Sequence, residues 1–189
     1  MNLWLRLLWL VVTARWRGAL GLPFAVGRVP FRVWLHDLDT SLHMNNGRYW
    51  TLMDLGRTDL MLRGGFWRAW LKHGWTPVIS AGKIRFRREL RPFRAFDLET
   101  RILCWAETWL VIEHRLVTKG AGGQDVVNAV ALVRAGLYDR KARGFVPVQR
   151  MMDEMGIKAE SPAPTPEVQA FLDAEDAMKN AMKWAGPAA

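Results

Sequence analysis

Between Asn46 and Arg63 the apolar positions recur at helical spacing. Tyr49, Met53, Gly56 and Leu60 fall on one buried stripe, and Gly64-Gly65 stop the segment. Gly56 costs helix stability, but it lets a helix approach a sheet closely. A shorter helix fits Phe66 to His73 and closes at Gly74. Upstream, FRVWLHD (31–37) sets Phe31, Val33 and Leu35 against Arg32, Trp34 and His36, the alternation of a strand. Downstream the pattern becomes strand-like in four long runs, Val78–Leu90, Phe96–Trp105, Trp109–Thr118 and Val126–Tyr138. GAGGQD (120–125) supplies a hairpin turn between the last two, and Arg143 to Gln149 adds a short strand before a helical turn at Met151. One long helix beside several antiparallel strands predicts an α+β domain with the sheet wrapped around the helix.

The two ends read differently from the middle. After a linker containing Pro162, Pro164 and Pro166, Thr165 and Pro166 suit the N-cap and first position of a final helix reaching about Trp184. Val168, Phe171, Leu172 and Met178 form its apolar side. At the other end, Leu7–Val12 is an apolar run too short to span a bilayer, and no small-residue cleavage site follows it cleanly. On a helix, Asn2, Arg6, Thr13 and Arg17 share one face and Leu and Trp cover the rest. That pattern suits a helix lying in a membrane interface, and equally one packed on the domain; Trp and Arg flanking favour the membrane. The expected organisation is a membrane-associating amphipathic segment over 1–26, the main domain over 27–156, and the linker and last helix over 157–189.

Composition sharpens this in three ways. Eleven tryptophans exceed what a core needs and point to a surface with one apolar and one wet side. A net charge of +9 attracts polyanions such as anionic lipid or phosphate-bearing substrates. Nucleic acid is disfavoured, because aromatics do not interleave with the basic run Lys83, Arg85, Arg87, Arg88, Arg91 and Arg94 as on a stacking platform. The lone Cys104 excludes an intramolecular disulfide and a cysteine-based metal site, and its apolar surroundings read as an inert packed thiol. His36, His73 and His114 lack metal-ligand spacing and are assigned structural roles. Asp54, Arg57 and Asp59 are assigned to a polar helix face with local pairing.

Chemistry concentrates in DLDTSLHMNNGRYW (37–50). Asp37 and Asp39 sit where a strand hands over to a helix, with His43, Asn45 and Asn46 close behind. A helix N-terminus presents unpaired N–H groups and partial positive charge, which can hold a carbonyl oxygen and the oxyanion formed from it. A neighbouring carboxylate can attack that carbonyl or activate water. The simpler reading has Asp39 or Asn45 capping the helix and His43 filling a loop.

The stretch resembles the D-x-D-x-x-x-H-V/M-N-N-x-x-Y signature of hot-dog acyl thioesterases, the plant acyl-ACP enzymes among them. IRFRREL (84–90) is similar to their Y-R-R-E segment. The likeness covers about residues 28–150. It implies a hot-dog fold, hydrolysis of fatty acyl thioesters (of coenzyme A in preference to acyl-ACP), no metal or organic cofactor, and a homodimer. The implied catalytic set is Asp39, Ser41, His43 and Glu89, with Glu89 or Asp39 as base or nucleophile and His43 and Ser41 orienting carbonyl or water. Amides near Asn45, Asn46 and Gly47 would polarise the carbonyl, and Arg85, Arg87 and Arg88 would meet the carrier's phosphates. Ser41 stands where the acyl-ACP enzymes carry Asn and lacks an amide that donates and accepts at once. That departure favours the alternative, a membrane-associated protein that binds acyl-CoA or acyl chains without turnover. Glu89 has a plainer reading too, as the acidic member of a basic strand face shared with Lys83, Arg85 and Arg87. The expected setting is cytoplasmic, at a membrane surface met through residues 1–22.

Overall fold

The computed structural model describes residues 2–183. Five helices and six strands follow one another as α1 (Asn2–Ala14), β1 (Gly27–Arg32), α2 (Asn46–Arg63), α3 (Phe66–His73), β2 (Thr76–Phe86), β3 (Ala95–Trp105), β4 (Leu110–Lys119), β5 (Asp125–Asp139), β6 (Gly144–Phe145), α4 (Val148–Glu154) and α5 (Pro166–Lys183). The strands form one antiparallel sheet in the order β1-β3-β4-β5-β2, with β6 paired to the end of β5. The sheet curls around α2, as an α+β hot-dog domain requires. Bounds for α2 and α3 match those read from periodicity, and the expected buried stripe Tyr49, Met53, Gly56 and Leu60 is buried.

Side chains alternate across the sheet as the pleat demands. Val29, Phe31, Phe96, Leu98, Leu116, Ala129 and Ala131 face inward to meet Leu52, Met53 and Leu55 of α2. Gly56 is the point of closest approach. A Cβ there would lie 2.4 Å from Thr100 Oγ1 and 2.8 Å from Leu98 Cδ2, so no other residue fits without moving β3. The opposite face carries α5, whose Val168, Phe171 and Leu172 pack on Cys104, Val111 and Leu132. Met178, expected on that apolar side, is exposed because the helix has left the sheet by then. The expected end of this helix at Trp184 lies outside the described residues.

Several boundaries differ from the sequence pattern. The first strand is 27–32, not 31–37; the chain turns through a single 3-10 turn at Leu35–Asp37. β2 stops at Phe86, because Arg87 and Arg88 both donate their N–H to Asn128 O and leave the ladder. Glu89 therefore does not share a strand face with Lys83 and Arg85. The strand expected at Arg143–Gln149 reduces to two residues, and helix α4 begins at Val148.

The first helix is joined to the domain through a mixed inner face, with Leu3, Leu7 and Leu10 packed on the core beside Arg6. Leu10 is fully buried, Arg6 reaches Asp37, and Arg17 just beyond the helix lies 2.7 Å from Asp59. A second apolar stripe faces outward: Trp4, Leu5, Leu8, Trp9, Val11 and Val12 are exposed, as is Trp16. Asp59, assigned from sequence to a polar surface face, is fully buried between Arg17 and Arg63, and burial raises its carboxyl above the usual range. Among the described residues no helix is long and apolar enough to cross a membrane.

Candidate active site

Between β1 and α2 the chain closes into a narrow loop. Leu38 bridges Met44, Asp39 N–H donates to His43 O at 2.9 Å, and Asn45 N–H donates to Asp37 O at 2.8 Å. Leu42, at the tip, takes φ +59° and is exposed. The loop is pinned to the segment after β2 by Met44 N–H donating to Leu90 O at 2.9 Å. That bond brings together two stretches that are distant in sequence.

The two aspartates of the motif have different surroundings. Asp37 is fully buried; Arg6 donates to both its oxygens, and Arg48 Nε and His36 Nε2 lie within 3.6 Å. It is an anchor. Asp39 is partly exposed; its Oδ1 accepts from Ser41 N–H at 2.9 Å, and its Oδ2 lies 3.2 Å from His43 Nδ1. With a proton on Nδ1, His43 donates to Asp39 and keeps Nε2 as an acceptor.

Glu89 enters from the other stretch, half exposed, with Arg91 Nε donating to it at 2.6 Å. Tyr49 reports how close the acids are. Its phenol is pushed up to about 12, first by burial, then by the negative charges of Asp39 and Glu89, against a hydrogen bond with the Leu90 backbone. The charges of both Asp39 and Glu89 are thus felt at the Tyr49 hydroxyl, and His43 is paired with Asp39. The sequence reading treated Tyr49 only as a core residue, although it fills the final Tyr of the quoted signature.

Ser41 contributes to this cluster through its backbone N–H and holds an exposed side chain. Asn45 is the N-cap of α2, its side chain accepting from Gly47 N–H at 2.8 Å, while its carbonyl accepts from Arg48 N–H. Of the amides expected to polarise a carbonyl, those of Asn45 and Gly47 are therefore engaged. Asn46 N–H has no acceptor among the described residues. Arg85, Arg87 and Arg88 are exposed, and none forms an ion pair among the described residues; Arg91 is held by Glu89 and Arg94 by the Lys119 carbonyl.

His73 and His114 lie apart from this cluster, while His36 sits beside Asp37. His73 stacks on Trp75 and bonds Glu154. His114 is fully buried, 3.0 Å from both Arg57 Nη1 and Thr100 Oγ1. Burial and the Arg57 charge hold its pKa well below the usual value, so it stays neutral. Cys104 is buried and its thiol is shifted up by burial, unlike an activated thiolate.

A sheet curled around one helix, with acid and imidazole groups at that helix's N-terminus, defines the hot-dog thioesterase class. The Thioesterase-like superfamily model matches residues 33–172, and the chain belongs to that family. Protein THEM6 of Xenopus laevis is 32% identical over 148 residues, covering 78% of this chain and 68% of the relative. Protein THEM6 of Danio rerio is 36% identical over 130 residues, covering 69% and 63%. The chain thus spans about two thirds of the length of these relatives. The fold matches the 4-hydroxybenzoyl CoA thioesterase of Pseudomonas sp. strain CBS-3 with a TM-score of 0.60, at 15% identity, over 69% of this chain and 98% of that one.

Proposed function

We propose that this protein hydrolyses fatty acyl thioesters of coenzyme A to free acid and thiol. Family membership supports thioester hydrolysis, and the thioesterase whose fold it shares acts on a coenzyme A ester. The observation that carries the reading is the Asp39–His43 pair, 3.2 Å apart just before α2, in a loop that Met44 N–H pins to Leu90, the neighbour of Glu89. Asp39 fixes the Nδ1–H tautomer of His43, and His43 Nε2 takes a proton from the attacking water. Asn46 N–H and the α2 dipole stabilise the developing oxyanion. Glu89 is the second acid, available to orient the water.

Arg85, Arg87 and Arg88 supply unpaired guanidinium groups for the nucleotide phosphates of the carrier. A homodimer is part of the proposal. β2 is an edge strand of eleven residues with no fully buried side chain, and an uncovered edge of that length invites pairing with a second copy. So is contact with a membrane surface through the outward Trp and Leu face of α1.

Thiol release from acyl-CoAs of graded length tests the activity directly. Turnover supports the hydrolase. Tight acyl-CoA binding without turnover supports the binding protein instead, for which the exposed Ser41 and the engaged Gly47 amide speak.

A further inference from the structure

A cavity of about 250 Å³ lies beneath the C-terminal half of α2, away from the loop that carries Asp39. Its walls are Leu60, Met61 and Phe66, the strand residues Ile79, Ile112 and Ala135, and a group of methionines from α4 and its end. Asp54, Arg57 and Thr58 supply its polar side, and Asp54 is exposed, so the opening lies on that face of α2. Methionines adapt to chains of varied shape, and apolar walls of this kind gain by burying hydrocarbon.

One helix face connects the cavity to the candidate active site. Asn46, Trp50, Asp54, Arg57 and Met61 recur at spacings of three and four and so share a side of α2. At 1.5 Å per residue, Trp50 stands about 6 Å and Arg57 about 17 Å along the axis from Asn46. β2 runs beside this face in the opposite direction. Phe86 meets Tyr49, Gly82 meets Trp50, and Ile79 and Pro77 line the cavity. The indole of Trp50 lies on Gly82 so closely that a Cβ there would be 2.8 Å from Trp50 Cη2. Trp50 therefore stands in the seam between the acidic loop and the cavity.

We propose that Trp50 is the residue that selects acyl-chain length: the tail of the thioester runs along the α2–β2 seam, and only a tail that passes the indole reaches the cavity. This rests on the reading of the protein as an acyl thioester hydrolase and adds where the tail goes and what limits it. Short tails end before Trp50 and gain nothing from the cavity. Longer tails displace the indole and bury their distal methylenes among Ile79, Ala135 and Met61.

Calorimetric titration of the full chain with butyl and dodecyl thioethers of coenzyme A, which cannot be hydrolysed, tests this without requiring turnover. The dodecyl compound is expected to bind the wild type at least about tenfold more tightly than the butyl compound, because bound area grows with buried chain. Ala135→Leu, and independently Ile79→Trp on the neighbouring strand, should shrink that ratio to about twofold or less. Trp50→Leu should enlarge it. Thermal unfolding shows which variants remain folded, and two positions on different strands guard against the loss of one. The same ratio in wild type and all folded variants overturns the proposal. Failure of the hydrolase reading is a separate result: no thiol release from any acyl-CoA, with the length-dependent ratios intact, rejects turnover and keeps the pocket.

Discussion

Arg6, from the first helix, lies 2.5 Å from the fully buried carboxylate of Asp37, two residues before Asp39. A charge buried that deeply is stable only while paired, and removing one partner of such a bridge costs about 3–5 kcal/mol. Arg6→Met should therefore lower the unfolding free energy in denaturant titration, by less than that full cost because Arg48 and His36 remain beside Asp37. A chain starting near Leu22, which loses Leu10, Arg6 and Arg17 together, should aggregate or unfold. Retained cooperative unfolding in that shortened chain would show that α1 is dispensable. The inner face of α1 carries both Leu10 and Arg6 into the domain, which is why the shortened chain should suffer.

Tyr49 gives a test of site geometry that needs no substrate. The protein has two tyrosines, so ultraviolet absorbance can follow phenol ionisation. Tyr49 should titrate near 12 in the wild type. Since the folded value lies above the usual one, its contribution to stability is full below about pH 10 and is lost as pH rises through 12. Asp39→Asn and Glu89→Gln should each move the titration downward by removing a negative neighbour. An unmoved titration in both would separate the two acids from Tyr49.

Gly56→Ala sets two effects against each other. Alanine favours helix by about 1 kcal/mol, but its methyl would enter the space of Thr100 Oγ1 and Leu98. Thr100 is held by His114, so the neighbour gives little. A net loss of about 1–2 kcal/mol by chemical denaturation is expected; a gain in stability would mean that α2 can lift off β3.

The carrier's phosphates are tested by charge removal at Arg85 and Arg88. The double Gln variant should raise KM for acyl-CoA and weaken its salt dependence, leaving kcat nearly intact. An equal rise in KM for pantetheine thioesters, which lack the nucleotide phosphates, would remove the cluster from phosphate binding.

Much of this architecture is legible in the sequence where periodicity is strong. The stripe through Tyr49, Met53, Gly56 and Leu60 marks α2 to the residue, because one face of a long helix must repeat at 3.6. The hot-dog motif places Asp39, His43 and Glu89 in contention; the structure pairs Asp39 with His43 and pins their loop to the segment that carries Glu89. Periodicity is silent on which side of α1 is inward, since Leu3, Leu7 and Leu10 turn in while Trp4, Leu5, Leu8 and Trp9 turn out, and the ion pairs with Asp37 and Asp59 fix the choice. The end of β2 at Phe86 is equally illegible, because it is set by two long-range bonds to the Asn128 carbonyl. Engagement of the Gly47 amide by Asn45 follows from cap geometry, which the sequence permits without requiring.

The central claim is that Asp39 and His43 act together on a thioester with Glu89 beside them. Steady-state thiol release from an acyl-CoA hydrolysed by the wild type, compared across Asp39→Asn, Glu89→Gln and their double variant, tests it most directly. The account predicts that each single change lowers kcat by about a hundredfold or more, and that the double is little worse than the worse single, with unfolding curves near wild type. Wild-type rates in both single variants would contradict it.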